Sequence, residues 1–434
     1  MTPTRARARF LDVRLGDTLS GYLCEIDQAC RFVPADGYRG DRDRPTLSLS
    51  ITIPGDEDVT SAILDNPFHP ALYNTGGALP PYFAGLLPEG ELLKRLEQTR
   101  THPEDRTSFG VLAAAGLDLP GALEVTPSDA ETLPESVRRA VASPPGGAPP
   151  EIAPVEGDTE GAASISGVQN KLALSTAHAG RRYTMPTRGH PSDLIAKLPA
   201  KNDDSQIWNE YVSMQLAAAA GVDTASCRPM PLSTVDVEGL AEALGPDLHF
   251  LAVDRFDRLP DRRVHAEDGC QVLTRMPNRK YGRAGDFLAL VQLLARFGVK
   301  GVADVRQFFV RQAVNTLLGN SDAHLKNVSF VYPDGVRPAL SPAYDIVCVA
   351  ALPGFAAFKQ NVAIDADQRA QTLATYRELA RATKLPDRIV TAAVKDTVAL
   401  ARSRWPALLE ELDAPPAVKA VVLERLDALP LARV

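Results

Sequence analysis

Residues Asn315 to Asn327 read NTLLGNSDAHLKN, and Leu340 to Val347 read LSPAYDIV. Together they supply an Asp (Asp322), an Asn five residues later (Asn327) and a second acid (Asp345) 18 residues beyond that. Moving a phosphoryl group onto a hydroxyl requires a carboxylate to receive the hydroxyl's proton. It also requires a few oxygen donors to hold Mg²⁺ against a nucleotide's phosphates. Asp322 suits the first task, and Asn327 with Asp345 suits the second. A lone D-x-x-x-x-N is common in solvated turns after helices, so the weight of this reading depends on its surroundings.

From Gly285 onward the pattern is mainly helical, with amphipathic spacing over Phe287 to Phe297, Val302 to Leu318, Asp367 to Lys384, Pro386 to Arg404 and Ala417 to Leu429. The Asp322 loop leaves a long apolar helix that Gly319 stops. A short strand (Val328 to Tyr332) and the turn Pro333-Asp334-Gly335 then lead to Asp345. Protein kinases space their catalytic-loop Asp and Asn in this way, and their helical lobe runs in this order. His324, inside the loop, is the one histidine of the seven placed in the catalytic site with Asp322, and Lys326 would sit near a transferred phosphate. Among the other histidines, His265 in RRVHAEDGCQ fits a structural role at least as well as a functional one.

Upstream, SISGVQNKLALS (164–175), RRYTMP and DLIAKLP predict strands. Gln206 to Ala220 predicts a helix ending at Gly221, and Arg228 to Val235 and His249 to Arg255 predict two further strands. That order resembles a nucleotide-binding N-lobe. Lys197 sits in an apolar run, where an ammonium is costly unless it meets an anion. Glu210 on the following helix would pair it, as a strand Lys and a helix Glu pair in kinases; otherwise Lys197 is a strand-end residue reaching solvent. The Ser164–Lys171 turn lacks G-x-x-x-x-G-K-[ST], so it is not a Walker A loop. It would offer backbone N–H groups and an ammonium to phosphates, or serve only as a hairpin turn. AVDRFDR (252–258) is either a hinge presenting backbone hydrogen bonds to adenine or an exposed strand end.

The N-terminal region has its own pattern. Residues 9–53 alternate as strands (RFLDVRLGDTLSGYLCEI, then TLSLSITI), helices follow from Tyr82 with an interruption at Pro88 and over Ser108 to Ala115, and Gly121 to Val125 returns to strand. Seven prolines between Val125 and Gly157 mark a linker or surface excursion. The expected organisation is α+β: an N-terminal α/β subdomain (1–125), a Pro-rich linker (126–163), and a two-lobed protein-kinase-like fold. Its nucleotide-binding part would span 164–260, and its mainly helical C-lobe 261–434.

The formal charge of −7 argues against a chain that grips nucleic acid by itself. Five scattered cysteines without a C-x-x-C predict reduced thiols, with neither a zinc site nor a disulfide framework. No apolar run approaches a membrane span and the basic N-terminus lacks an h-region, so a cytoplasmic location is expected, with no membrane partner.

These segments together resemble the HipA family, serine/threonine kinases that act as toxins of bacterial type II toxin–antitoxin modules. The matching stretches are SISGVQNKLAL (164–174), LIAKLP (194–199), NEYVSMQLAAAAG (209–221), DRFDR (254–258), HAEDGCQ (265–271), GNSDAHLKN (319–327) and LSPAYDIV (340–347), with LLPEGELLKRL (86–96) and GLDLPGALEV (116–125) in the N-terminal part. The resemblance implies ATP and Mg²⁺ as cofactors, Asp322 as catalytic base and Asn327 with Asp345 as metal ligands. It implies Lys197 on the α/β-phosphates and Ser166, Gly167, Val168, Gln169, Asn170 and Lys171 as the phosphate loop. Asp254 and Phe256 become the adenine contacts, although the family often has Glu at the position of Asp254. Ser164, or alternatively Ser166, matches the serine that family members autophosphorylate to silence themselves. A small helix-turn-helix antitoxin partner is implied, which makes the operator-DNA contacts, together with a protein substrate of the aminoacyl-tRNA synthetase class and a role in growth arrest or persistence. Two other readings stay open: a small-molecule phosphotransferase, and a catalytically weak co-repressor that binds a helix-turn-helix partner.

Overall fold

The computed structural model describes residues 6–142, 150–159, 162–163, 170–187, 189–283, 285–354 and 367–434. The chain forms two compact units, each assembled from separated stretches. The first comprises residues 1–193, 257–278 and 331–337, and the second 194–256, 279–330 and 338–434. Residues 261–278 and 331–337, expected within the helical lobe, therefore belong to the first unit. Buried polar groups explain why. Arg263 donates to the carbonyls of Leu117, Leu119, Gly121 and Leu123, and Arg258 pairs with Asp118 at 2.9 Å.

In the first unit, strands β1 (Arg7–Leu15), β2 (Thr18–Ile26), β3 (Ala29–Pro34), β4 (Tyr73–Asn74) and β5 (Leu123–Pro127) form an antiparallel sheet in the order β4-β3-β2-β1-β5. Phe10, Leu23, Phe32, Phe83 and Phe109 meet in its core, with the Phe32 and Phe83 rings 5.4 Å apart. Pro88 does separate two helices, Pro81–Gly85 and Gly90–Thr99.

TLSLSITI is not a strand, although it alternates. Ser48 and Thr52 are buried along with Leu47, Leu49 and Ile51, so neither face is a solvent face. The hydroxyls also take over backbone duties: Thr52 Oγ1 accepts from Leu47 N at 3.2 Å, a local alternative to ladder pairing. The Pro-rich segment is also more than a joint. Its described part holds a helix, Glu135–Ala140, and a strand, β6 (Glu151–Ile152), that runs parallel to β1. Leu133, Val137 and Val141 are buried in the same core. Periodicity around Glu135 to Ala142 is the one sign of this order in the sequence. Two further strands, β7 (Lys171–Ala177) and β8 (Arg182–Thr184), pair antiparallel.

In the second unit, strands β9 (Leu194–Lys197), β10 (Cys227–Pro231) and β11 (His249–Asp254) lie antiparallel with β11 in the middle. The strand expected to reach Val235 ends at Pro231, whose missing N–H suits a strand end at a sheet edge. The Ser205–Ala219 helix packs on the Asp387–Glu411 helix, where Trp405 is fully buried and its indole N–H donates to the Leu216 carbonyl at 2.8 Å. That second helix runs past its expected end at Arg404 and through Pro406; packing outweighs the lost backbone bond. Asp367 to Lys384 is a 3-10 turn (Gln368–Ala370) followed by a helix (Leu373–Ala382) that Thr372 caps. Among the described residues all five cysteines are free, and no helix is long and apolar enough to cross a membrane.

Candidate active site

The second unit brings Lys197, Glu210 and Asp345 together. Lys197 is the last residue of β9, and its ammonium pairs with both Glu210 and Asp345. Lys197 and Glu210 are 4% and 2% exposed. Burial by itself would push the Lys197 ammonium down, yet the two carboxylates and their hydrogen bonds hold its pKa well above the ordinary lysine value. The pairing of a strand Lys with a helix Glu is thus present, and the bland alternative of a solvent-reaching lysine is excluded by burial.

Asp345 adopts the left-handed backbone conformation, φ 59°, which Asp tolerates better than most residues. The same helix that carries Glu210 fixes the chain just beyond it. Cys348 N donates to Asn209 Oδ1 and to Ser213 Oγ, each at 3.0 Å.

The catalytic-loop candidates follow the Val302–Leu318 helix. Gly319 ends that helix with φ 78°, and buried Arg425 donates to the terminal carbonyls of Thr316 (2.6 Å) and Leu317 (3.2 Å). A cation at the helix C-terminus thus satisfies groups that would otherwise be orphaned. Gln368 Nε2 holds the Asn320 carbonyl at 2.8 Å. Within the loop, Asn320 Oδ1 accepts from Asp322 N at 3.2 Å. Asn327 Nδ2 donates back to the Asp322 carbonyl at 3.3 Å. That bond commits the Asn327 amide nitrogen and not its oxygen.

Asp322 has a partner that sequence reasoning missed. The Tyr281 hydroxyl donates to Asp322 Oδ1 at 2.7 Å. Burial and the neighbouring Asp322 charge push the Tyr281 phenol up to about 12, so it remains a donor across the physiological range. Nothing in RKYGRAGD signals this, because the two residues are 41 positions apart. His324 is buried edge-on to Tyr281, with ring centroids 5.7 Å apart. Burial and then Lys280 lower its pKa, so it is a neutral ring facing the interior. Lys326 is buried too, and its carbonyl accepts from the Tyr344 hydroxyl at 2.7 Å.

The two adenine candidates lie in different surroundings. Asp254 ends β11, pairs with Arg228 at 2.6 Å and spends its N–H on the Ser226 carbonyl. The Phe256 ring lies 5.6 Å from that of Tyr344. In the first unit, Lys171 opens β7 and Asn170 just before it is exposed. Ser164, Ser166, Gly167, Val168 and Gln169 lie outside the described residues.

Asn327 and Asp345 line one cavity. An amide oxygen and a carboxylate are the hard donors that suit Mg²⁺ when substrate phosphates and water complete its shell. Among the described residues no group of three or more His, Cys, Asp or Glu could cage a metal unaided. The donor set therefore fits a metal delivered with a nucleotide.

Comparison with known proteins gives a family. The model of the HipA-like C-terminal domain matches residues 163–405, and that of the HipA N-terminal domain matches 11–126. The chain belongs to the HipA family. This HipA-family chain is 34% identical over 422 residues to Y4dM of Sinorhizobium fredii, a candidate kinase, covering 94% of each chain. It is 29% identical over 374 residues to the serine/threonine-protein kinase toxin HipA of Shewanella oneidensis, covering 79% of this chain and 76% of that one. A solved structure of HipA from Shewanella oneidensis, in complex with HipB and operator DNA, shares the fold at a TM-score of 0.65 and 23% identity, covering 97% and 96% of the two chains.

Proposed function

We propose that this HipA-family chain is an ATP- and Mg²⁺-dependent serine/threonine protein kinase and the toxin of a type II toxin–antitoxin module. One observation carries the reading: a buried lysine pairs at once with a helix glutamate and with Asp345, the acid that shares a cavity with Asn327 of the D-x-x-x-x-N loop. A buried ammonium held between two acids is poised to exchange one of them for an anionic phosphate when a nucleotide enters.

In this reading Asp322 orients the substrate hydroxyl and receives its proton, with Tyr281 holding the carboxylate in place. Asn327 and Asp345 hold Mg²⁺, which when bound neutralises charge on the phosphates. Lys197 holds the α/β-phosphates and Glu210 positions it. His324 and Lys326, both buried, shape the loop from within. The residues Ser166 to Lys171 as phosphate loop, and Asp254 and Phe256 as adenine contacts, rest on the sequence resemblance. So does autophosphorylation at Ser164 or Ser166, which would bring about −1.5 to −2 charge into that loop and expel ATP. The partner is a small helix-turn-helix antitoxin that contacts operator DNA, and the substrate is a translation protein of the aminoacyl-tRNA synthetase class in the cytoplasm. The HipB and operator DNA in the related complex support the partner assignment.

The test is incubation of the purified chain with labelled ATP and Mg²⁺, alone and with cell extract. Label should appear on the chain or on an extract protein and vanish in Asp322→Ala and Asp345→Ala. Label on metabolites alone would instead mark a small-molecule phosphotransferase. Absence of ATP binding with an intact antitoxin complex would mark a co-repressor. Expression of the wild type should arrest growth, and expression of Asp345→Ala should not.

A further inference from the structure

The Ser205–Ala219 helix holds the chain around Asp345 from two neighbouring positions. Glu210 reaches it through Lys197. Asn209, one residue earlier, reaches Cys348 directly: its Nδ2 donates to the Cys348 carbonyl at 3.1 Å, and its Oδ1 accepts from Cys348 N at 3.0 Å. The amide thus pairs with both backbone groups of one residue, as a residue of an adjacent antiparallel strand does. Ser213, one turn further on, accepts from the same N–H at 3.0 Å and donates its hydroxyl to Asn209 Oδ1 at 3.2 Å, which fixes the way round the amide sits. Asn209, Ser213 and Cys348 are all buried. Two residues on, Ala350 N donates at 3.1 Å to the carbonyl of Gly319, from which the Asp322 loop departs.

Satisfying the Cys348 backbone takes one partner for each group. Its N–H has two acceptors, and its carbonyl holds Ala351 N at 3.1 Å as well as Asn209 Nδ2. The surplus fixes position. It does so three residues after Asp345, whose left-handed backbone, φ 59°, persists where its surroundings over-determine it. We propose that Asn209 is a positioning residue. With Ser213 it clamps the Cys348–Ala350 segment between the Glu210 helix and the Asp322 loop, and so sets Asp345 and Asp322 relative to each other. For its chemistry the clamp rests on the kinase reading. In protein kinases the helix Glu and the metal-holding Asp must both be in place for transfer. Here one helix secures both, so the Glu210 helix cannot withdraw without carrying Asp345 along or breaking the clamp.

The test variant is Asn209→Leu, which keeps the branching of the side chain and removes both bonds. Cys348 retains Ser213 Oγ and Ala351 N as partners, so the chain should fold. Val398→Ala, in the buried face of the Asp387–Glu411 helix, controls for lost stability alone. Hydrogen exchange of the unliganded chain, read by mass spectrometry, should quicken about tenfold in Asn209→Leu over both 345–350 and 319–324, and over neither in Val398→Ala. Calorimetry with a non-hydrolysable ATP analogue should show about tenfold weaker binding in Mn²⁺ and unchanged binding in EDTA. Ser213→Ala should move both readouts the same way by less, and it decides the matter if Asn209→Leu does not fold. Faster exchange confined to 345–350, an equal effect in Val398→Ala, or an equal loss of nucleotide affinity with and without metal would overturn the assignment. A wild type that binds no nucleotide would remove the kinase reading, and the exchange pattern would still decide the clamp.

Discussion

Lys197 and Asp345 lie 148 positions apart in the chain and are joined by an ion pair whose ammonium also holds Glu210. The strand residue, the helix residue and the loop acid thus form one electrostatic unit, and removing a member exposes the cost of the others.

Lys197→Met leaves the Glu210 carboxylate buried without its counter-charge. The expected loss of stability is about 3–5 kcal/mol, read as a shift of the urea midpoint at unchanged slope. Lys197→Met with Glu210→Gln should regain much of that loss, while phosphoryl transfer stays absent in both. A double variant as unstable as the single one would mean that packing, and not charge, sets the cost.

Tyr281→Phe deletes the hydroxyl that donates to Asp322 at 2.7 Å and leaves the ring against His324. Folding should be nearly unchanged. The kcat/KM for protein phosphorylation should fall about tenfold, corresponding to roughly 1.4 kcal/mol of lost orientation. Unchanged kinetics would show that Asp322 needs no such support.

Glu267 offers a pH test in the first unit. It is buried and accepts hydrogen bonds from Ser48 Oγ at 2.6 Å, Leu49 N at 2.9 Å and the Tyr332 hydroxyl. Burial raises its pKa from 4.5 to about 7, with the hydrogen bonds opposing and Asp268 adding. The folded state therefore keeps a proton that the unfolded state releases. Stability from this group is full below pH 4.5 and is lost as pH rises to about 7. His265, stacked on Tyr332 and lowered by burial to about 4, works in the opposite sense between pH 4 and 6.5. Comparison with Glu267→Gln isolates the carboxyl. The wild type should lose up to about 3 kcal/mol relative to that variant between pH 4.5 and 7.5, measured by denaturant unfolding. A constant difference across that range would refute the assignment.

Gly319→Ala should damage both stability and chemistry. The position has φ 78°, and a Cβ there would lie 2.7 Å from Ala350 Cβ and 3.1 Å from Arg425 Nε. Strain of about 1–2 kcal/mol from the left-handed conformation adds to that crowding. The Tm should drop by several degrees, and activity should fall further than Tm alone explains, because the loop carrying Asp322 begins at this residue.

Much of this protein follows from local order. The spacing of Asp322, Asn327 and Asp345, the glycine stop at 319 and the amphipathic helices of the second unit are carried by contiguous residues, so periodicity and motif suffice to find them. A lysine inside an apolar strand announced that it needed an anion, and Glu210 on the next helix was near enough in sequence to suggest itself. Tertiary contact decided the rest. TLSLSITI alternates like a strand but is turned by its own hydroxyls and by Glu267, more than 200 residues away. Pro406 fails to end its helix because Trp405 beside it is locked in the core. Tyr281 joins Asp322, and Arg311 comes to line the cavity that reaches Asn327 and Asp345, only once the chain has folded. Sequence specifies which groups exist and their local conformation. Only packing decides which distant groups share a low-dielectric space, and there the strength of a charge or hydrogen bond is set.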